Sequence, residues 1–321
     1  MFKQKLILQN WLGKKRLARN GQKVSQQVHE TSLFSLGISL FSKLLILCFF
    51  GLIILFPFFY MISTSLMTDQ QIEDMGAGKG IQLLPEAASW ANYSAAFVEG
   101  YWSALGVTFA NVLVSVILKI IITMSMGYAF SLKKWSGKKF AWRVLLSLLV
   151  LPEVALLAGQ YQVVVMLNLQ RDVYKTIFAI ALPFVASIFN AMMFRNAFEA
   201  IPGRIKEVAL VDDATGFRYF LKIAAPMVTP TTLTIIILTA LASWNSYLWP
   251  ALVTGNNINV MSTWLFQVGI RRDDSGDNLG FFQNIRMAGA IIVIVPMFIV
   301  YFVFRTKIMN AISRQGSTIK G

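Results

Sequence analysis

The feature that most constrains this chain is a series of apolar runs long enough to cross a lipid bilayer. The first is LLILCFFGLIILFPFFYMISTSL, residues Leu44–Leu66, and the last covers Met287–Phe304. A helix needs about 20 apolar residues to cross the hydrocarbon core. Only 14% of the residues are charged, whereas soluble domains carry about a quarter. The sequence therefore predicts an all-α, multi-pass membrane protein.

Four more apolar runs lie between these two, so we expect six transmembrane helices. The inner four are approximately Ser103–Phe130, Trp142–Val165, Thr176–Phe194 and Thr231–Val253. Lysine and arginine are concentrated before the first run, after the second, between the fourth and fifth, and after the sixth. Because cytoplasmic loops carry such an excess, both termini are predicted to be cytoplasmic. The same pattern explains the net charge of +14 without nucleic acid, which we do not expect as a partner.

The predicted organisation follows from these runs and from the polar segments between them. Its parts are a basic cytoplasmic N-terminal extension (1–43), a first transmembrane helix (44–66), an extracytoplasmic loop (67–100), a transmembrane domain (101–304) and a cytoplasmic tail (305–321). The extension is too long and too polar for a cleaved signal peptide. A polar cytoplasmic loop, residues 198–226, interrupts the transmembrane domain.

The composition also excludes several kinds of chemistry. The single cysteine, Cys48, and the single histidine, His29, leave no disulfide framework and no Cys- or His-cluster metal site. No Walker A pattern occurs, so the chain supplies no ATP site. We expect no catalytic residue, no metal and no cofactor on this chain. A membrane-embedded enzyme would have to rely on Lys119 and Glu153, and an autonomous secondary transporter or channel leaves the polar loop unexplained.

The polar loop contains KEVALVDDATGFRYFLKIAAP, residues Lys206–Pro226. Pro202 and Gly203 open a helix, on which helical spacing places Ile201, Ile205, Val208 and Ala209 on one face. Thr215 is a suitable N-cap for a second short helix. We name the two predicted helices and their turn, residues 203–226, the knob. Its small apolar face with charged edges suits docking into a groove of another protein.

The knob resembles the cytoplasmic motif of importer permeases of the ATP-binding cassette (ABC) class: E-A-A, three residues, Gly, nine residues, then I-x-L-P. The residues at motif positions, matching or not, are Glu207, Val208, Ala209, Asp212, Asp213, Ala214, Ile223, Ala225 and Pro226. Three depart from the motif: Val208, Ala225 and Asp213. Asp213 stands where glycine would permit a left-handed turn, a conformation that Asp also visits.

The resemblance extends to the maltose-transporter G-type subunit family over about Tyr101–Phe304. It rests on LLPEAASWANYSAAF, GYAFSLKKWSGKK, LPEV, SWNSYLWP, MAGAIIVIVP and the terminal GSTIKG. It implies a type I ABC importer permease fold in the bacterial cytoplasmic membrane. The implied partners are a second permease, two ATPase subunits that bind ATP and Mg, and an extracytoplasmic solute-binding protein. The knob would be the coupling helix, with Glu207 as its charged anchor in the ATPase.

Polar residues within the predicted spans are candidates for the substrate pathway: Lys119, Glu153, Asn190, Trp244, Asn245 and Tyr247. Lys119 and Glu153 each lie seventeen positions from Ser136, at similar depth in an antiparallel hairpin. We consider an ion pair, attraction of an acidic sugar by Lys119, and snorkelling of the lysine to an interface. Aromatic residues of SWNSYLW can line the pathway or anchor the span at the interface.

The predicted external segment Thr254–Ile285 is the other candidate on the substrate side. The resemblance implies that it contacts the binding protein, and we assign Trp264, Arg271 and Arg272 to that contact. The two arginines can face an anionic saccharide or pair with the neighbouring aspartates 273 and 274. The predicted function is import of a sugar or oligosaccharide, with uronate-containing sugars left open. A permease for a sugar phosphate such as glycerol phosphate is the alternative.

Overall fold

The computed structural model describes residues 33–98, 100–132, 135–255, 258–272 and 278–317, of which the side chains of 33–36, 153–154, 272, 278–279 and 307–317 are not described. The N-terminal extension up to residue 32 lies outside the described residues. The helices are α1 Leu33–Ser65, α2 Asp69–Gly76, α3 Ala91–Ala96, α4 Tyr101–Ser131, α5 Lys138–Leu148, α6 Glu153–Met166, α7 Val173–Val185, α8 Ile188–Glu199, α9 Gly203–Val211, α10 Gly216–Tyr219, α11 Ala225–Met227, α12 Thr229–Trp244, α13 Leu248–Thr254, α14 Met261–Trp264 and α15 Gln283–Ser317. A π-helical turn, Phe220–Ala224, joins α10 to α11, and a 3₁₀ turn, Leu265–Gln267, follows α14.

The chain divides after Tyr60 into two units. In the first, the described residues form most of α1, whose apolar side chains are largely exposed. In the second, residues 61–321, the helices pack around α4, and an antiparallel hairpin pairs β1 (Ile270–Arg272) with β2 (Asn278–Phe281).

Three described helices are long and apolar enough to cross a membrane: Gly37–Ser65, Tyr101–Ser131 and Gln283–Thr306. They correspond to the predicted first, second and sixth spans. Two bent pairs of helices also meet the composition of a span, and α6 contributes a shorter apolar helix. The described residues therefore hold three long spans, or up to five if each bent pair counts as one.

The predicted third, fourth and fifth spans are interrupted rather than continuous. The third is divided into α5 and α6 by a break that ends at Pro152, because proline lacks the N–H for a helical bond and disfavours helix in the residue before it. The fourth bends by 59° between α7 and α8, where Ser187 caps α8 by accepting a hydrogen bond from the Asn190 amide at 3.3 Å. The fifth breaks between Trp244 and Leu248.

Two clusters of buried residues define opposite ends of the second unit. Tyr101, Trp244 and Trp264 belong to a cluster at the ends of α4 and α12 that we name the loop end. Phe198, Tyr219 and six other buried residues form a cluster beneath the knob, which we name the knob end. α4 reaches both, since it begins at Tyr101 and ends at Ser131.

At the loop end, buried amides tie the start of α15 to the segment after α1. The Asn284 amide donates to the Met67 carbonyl at 3.0 Å and to Asp69 Oδ1 at 2.7 Å. Asn92 donates to the carbonyls of Ser65 and Met67 at 2.9 and 2.8 Å. Since Asn284 and Asn92 are both buried, these bonds fix the register of the loop against the last helix.

Candidate functional site

The knob contains a turn at the position where the sequence departs from the glycine of the ABC motif. α9 ends at Val211, and Asp213 has a φ of 51°, in the left-handed region. The amide of Ala214 donates to the Ala209 carbonyl at 2.8 Å, and the amide of Asp213 donates to the Leu210 carbonyl at 3.3 Å. These two bonds form a Schellman motif with Asp213 in the place that glycine usually occupies. The helix does not continue through Asp213.

The inner face of the knob is packed onto the end of the helical bundle. Ala209 of the knob is 2% exposed, and Ile201, which precedes the knob, is 7% exposed; both belong to the knob-end cluster. The rings of Tyr128 and Phe220 approach to 4.7 Å between centroids, and those of Tyr128 and Phe198 to 5.3 Å. These aromatic contacts join the knob to α4 and α8.

The outer face of the knob exposes apolar side chains that no described residue covers. Val208 is 60%, Val211 86% and Phe217 73% exposed. Leu210 and Leu221 are exposed beside them. Charged residues frame this apolar surface: Arg204, Glu207, Asp212, Asp213, Arg218 and Lys222, all exposed. An apolar patch with a polar rim is typical of a surface that binds another protein.

The motif residues are thus divided between the two faces. Glu207, Val208, Asp212 and Asp213 lie on the outside, and Pro226 is also exposed. Val208 does not share the inner face with Ile205 and Ala209, contrary to the sequence prediction. Ala209 is buried, and Ala214 and Ile223 are partly buried in the knob-end cluster. Ala209 supports the knob from within and offers no surface to a partner.

Sequence reasoning missed the most exposed apolar residues, Val211 and Phe217. The available signal was the occurrence of apolar residues beside charges in an otherwise polar loop. It also missed Gly127 in α4. A Cβ atom there would lie 2.5 Å from Phe194 Cβ and 2.9 Å from the Ala191 carbonyl oxygen, so the close approach of α4 and α8 requires glycine.

The knob is joined to α12 through a bent connection. The π-helical turn Phe220–Ala224 follows α10, and the helices on either side of Val228 differ in direction by 73°. The amide of Thr232 donates to the Val228 carbonyl at 3.0 Å, so α12 begins directly at the bend. The connection between the knob and α12 is therefore short and sharply bent.

The candidate pathway residues are not gathered in one cavity. Asn190 and Trp244 are each 6% exposed, and the Trp244 ring packs against Phe109. Asn245 is exposed and donates to the Leu241 carbonyl at 3.0 Å, within its own turn. Tyr247 is exposed and packs on Phe266, with ring centroids 4.5 Å apart. Of these four residues, only Asn245 and Tyr247 are exposed on the surface of this chain.

The predicted pairing of Lys119 with Glu153 stays a prediction, because the Glu153 side chain lies outside the described residues. Lys119 is 8% exposed and lies in a row of buried polar residues along α4: Thr108, Asn111, Ser115, Lys119 and Thr123. Asn111 in this row donates to Ser243 Oγ of α12 at 2.9 Å. The row faces neighbouring helices of the same chain.

The residues assigned to binding-protein contact require one correction. Trp264 is fully buried and stacks edge-on against Tyr101 at 5.2 Å, so its side chain cannot contact another protein at this surface. Arg271 is exposed and pairs with Glu73 at 3.2 Å. Its guanidinium also lies 4.6 Å from the ring centroid of Phe282. The side chain of Arg272 and both aspartates that follow it lie outside the described residues.

A solved structure has a fold similar to that of this chain. A chain from a bacterial ABC transporter involved in the import of the acidic polysaccharide alginate matches with a TM-score of 0.69. The match covers 87% of this chain and 98% of the other, at 21% sequence identity. This chain therefore has the fold of that transporter chain.

Sequence comparisons identify relatives over most or all of the chain. A probable ABC transporter permease protein of Mycoplasma pneumoniae is 44% identical and is covered over its whole length, as is this chain. An arabinooligosaccharides transport system permease protein of Halalkalibacterium halodurans is 26% identical over 85% of this chain and 94% of its own. The family profile that matches residues 119–314 describes binding-protein-dependent transport system inner membrane components. The chain belongs to this family of ABC transporter permeases.

Proposed function

We propose that this chain is the transmembrane permease subunit of a binding-protein-dependent ABC importer and forms half of the translocation pathway for a sugar or oligosaccharide. The observation that carries the proposal is the knob, with a buried inner face and an uncovered apolar outer face. A transporter that worked alone would have no use for such a surface. A subunit driven by a separate ATPase requires one.

The knob is proposed to sit in a cleft of an ATPase subunit, which supplies ATP and Mg. Val211 and Phe217 would enter the cleft, and Glu207 would form a charged contact at its edge. When two ATPase subunits close on ATP, the knob moves with them. The aromatic contacts of Tyr128 pass this motion to α4 and α8, and the π-helical turn passes it to α12. Binding energy at the knob is thereby converted into a change of access across the membrane.

The proposed assembly contains a second, different permease subunit, two ATPase subunits and an extracytoplasmic solute-binding protein in the bacterial cytoplasmic membrane. We propose six crossings with both termini in the cytoplasm, because basic residues flank the spans on that side. The loop end and the hairpin β1–β2 then face the binding protein. In this arrangement Arg271, Arg272 and Tyr247 are the proposed contact residues.

The proposed substrate class is supported by relatives named for arabinooligosaccharides and for the polysaccharide alginate. The alternative, a sugar phosphate, is supported by relatives named as sn-glycerol-3-phosphate transport permease proteins. Two of the cations that suggested an acidic sugar have described side chains. Arg271 is paired with Glu73, and Lys119 is buried within the helices of this chain. We therefore propose a saccharide without assigning its charge.

Reconstitution tests this function. The chain, the second permease, the ATPase and the binding protein are incorporated into liposomes, and ATP hydrolysis and uptake are measured with candidate saccharides and with glycerol phosphate. We expect hydrolysis to rise several-fold only with loaded binding protein, and uptake to follow a saccharide. Uptake by the purified chain alone without ATP would refute the proposal. Uptake of glycerol phosphate but no saccharide would refute the substrate class.

A further inference from the structure

A buried hydrogen bond joins the helix α4 to the short helix α14 at the loop end. The amide of Met261, the first residue of α14, donates to Thr108 Oγ1 of α4 at 2.8 Å. Thr108 is 1% exposed, and Met261 is fully buried. The two residues lie 153 positions apart in the sequence, so the bond fixes one element of the fold to another.

The hydroxyl of Thr108 is held in one orientation by its two hydrogen bonds. It donates its single hydrogen to the Ala104 carbonyl, one turn earlier in α4, at 2.8 Å. Its lone pairs are thereby left for the Met261 amide. A valine at this position has a similar shape but cannot accept that bond, and a buried amide without a partner is costly. Thr108 therefore determines where α14 lies on α4.

Two further contacts hold α14 in the same place. Ser262 Oγ donates to the Ser246 carbonyl at 2.5 Å, in the break between α12 and α13. The Trp264 ring is fully buried and packs edge-on against Tyr101, the first residue of α4. α14 is thus fixed to α4 at two points and to the break in the predicted fifth span at one.

α4 is an unbroken helix between α14 and the knob, whereas the covalent route between them is interrupted. α12 continues from the knob but ends at Trp244, and the next helix begins only at Leu248. α4 runs as one helix from Tyr101 to Ser131, and its stretch from Thr108 to Tyr128 is about 30 Å long. Tyr128 contacts the knob. The Thr108 bond joins α14 to this helix and bypasses the break.

We propose that Thr108 is a positioning residue that couples α14 to the knob through α4. The inference rests on the proposed function, in which nucleotide binding by the ATPase moves the knob and the loop end faces the binding protein. α4 carries the movement, and the Thr108 hydroxyl transfers it to α14. Because coupling between binding sites is reciprocal, a binding protein that engages the loop end also changes the affinity of the ATPase for nucleotide.

Hydrogen exchange in the assembled complex tests this role without a transported saccharide. The full-length chain, the second permease and the ATPase are measured in nanodiscs with and without Mg and the non-hydrolysable ATP analogue AMP-PNP. The readout is the Trp264 amide, whose bond to the Val260 carbonyl at 2.8 Å does not involve Thr108. In the wild type, the nucleotide should change its exchange rate by at least about fivefold. In Thr108→Val, this nucleotide effect should fall below about twofold.

Thr108→Ser and Thr123→Val are the matched controls. Thr108→Ser keeps the hydroxyl and should keep the nucleotide effect. Thr123 is as buried as Thr108, but its hydroxyl bonds within α4, to the Lys119 carbonyl at 2.6 Å. Thr123→Val should therefore keep the nucleotide effect as well. A purely structural hydroxyl at position 108 would lower the melting temperature in detergent and leave the nucleotide effect intact.

Exchange in the knob separates failure of this inference from failure of the proposed function. Amides of the knob should exchange more slowly when nucleotide binds, and no change there in the wild type would refute the ATPase contact and this inference with it. A response in the knob without one at Trp264 would overturn the inference alone. So would equal Trp264 responses in the wild type and Thr108→Val, or an equal loss in Thr123→Val. Where size exclusion shows that Thr108→Val does not fold, Thr108→Ala removes the same hydroxyl and replaces it.

Discussion

Replacing Asp213 tests the turn on which the knob depends. A left-handed residue costs an ordinary L-amino acid about 1–2 kcal/mol, and Asp tolerates it better than most. Glycine has no such cost but loses about 0.5–1 kcal/mol of backbone entropy on ordering. With a φ of 51° at this position, the difference between these two terms predicts that Asp213→Gly stabilises the turn by at most about 1 kcal/mol. Asp213→Val should destabilise it by about 1 kcal/mol or more.

The hydrogen-exchange rate of the Ala214 amide measures the stability of the turn, because this amide donates to the Ala209 carbonyl at 2.8 Å. In the full-length chain, exchange at Ala214 should slow by at most about fivefold in Asp213→Gly and accelerate about fivefold in Asp213→Val, since 1.4 kcal/mol is tenfold. Asp212→Val is the matched control, because Asp212 has an ordinary φ of −82° and the charge change is identical. Equal acceleration in both Val variants would refute the account of the turn.

Three further changes have defined outcomes. Gly127→Ala should lower the free energy of unfolding by about 1–3 kcal/mol through overpacking. The control Gly106→Ala has open space around it and should change the melting temperature in detergent by no more than about a degree or two. Equal effects of the two variants would contradict the close approach of α4 and α8. Asn284→Leu should lower the free energy of unfolding by about 1–3 kcal/mol, because it leaves buried acceptors unpaired. The control Asn245→Leu, at an exposed site, should leave the melting temperature nearly unchanged. Phe217→Ser should weaken association with the ATPase about tenfold or more, measured by a pull-down titration, and should leave the melting temperature unchanged. Unaltered association would show that Phe217 is not part of the proposed contact.

The sequence predicted the knob well because its signals are local. The charges of the loop and the left-handed tolerance of Asp213 are properties of neighbouring residues. Thr215 does precede α10 as predicted, but its side chain makes no capping hydrogen bond. Hydropathy predicted the three long spans for a similar reason, since a long apolar run by itself indicates a segment in the hydrocarbon core of a membrane. Hydropathy does not show whether a helix is straight or bent. The break before Pro152 and the bends next to Ser187 and Val228 were therefore not predicted.

Tertiary contacts account for the remaining differences. Trp264 lies in a polar segment and was expected to be accessible, yet contacts with Tyr101 across more than 150 residues bury it. The pairing of Arg271 with Glu73 joins residues that are even farther apart in the sequence, and the adjacent aspartates offered a simpler local partner. Which face of α9 would be outward also depended on Phe198 and Tyr219, whose positions helical spacing alone cannot supply.

Crosslinking at Val211 tests the central claim most directly. In a Cys48→Ser background, which removes the single native cysteine, Val211→Cys is combined with single cysteines on the ATPase surface in the assembled complex. The account predicts a crosslink between the two subunits and its dependence on the nucleotide state. Trp102→Cys, exposed at the loop end, should give none. Failure of Val211→Cys to crosslink in an active complex, or an equal yield from Trp102→Cys, would contradict the claim that the knob contacts the ATPase.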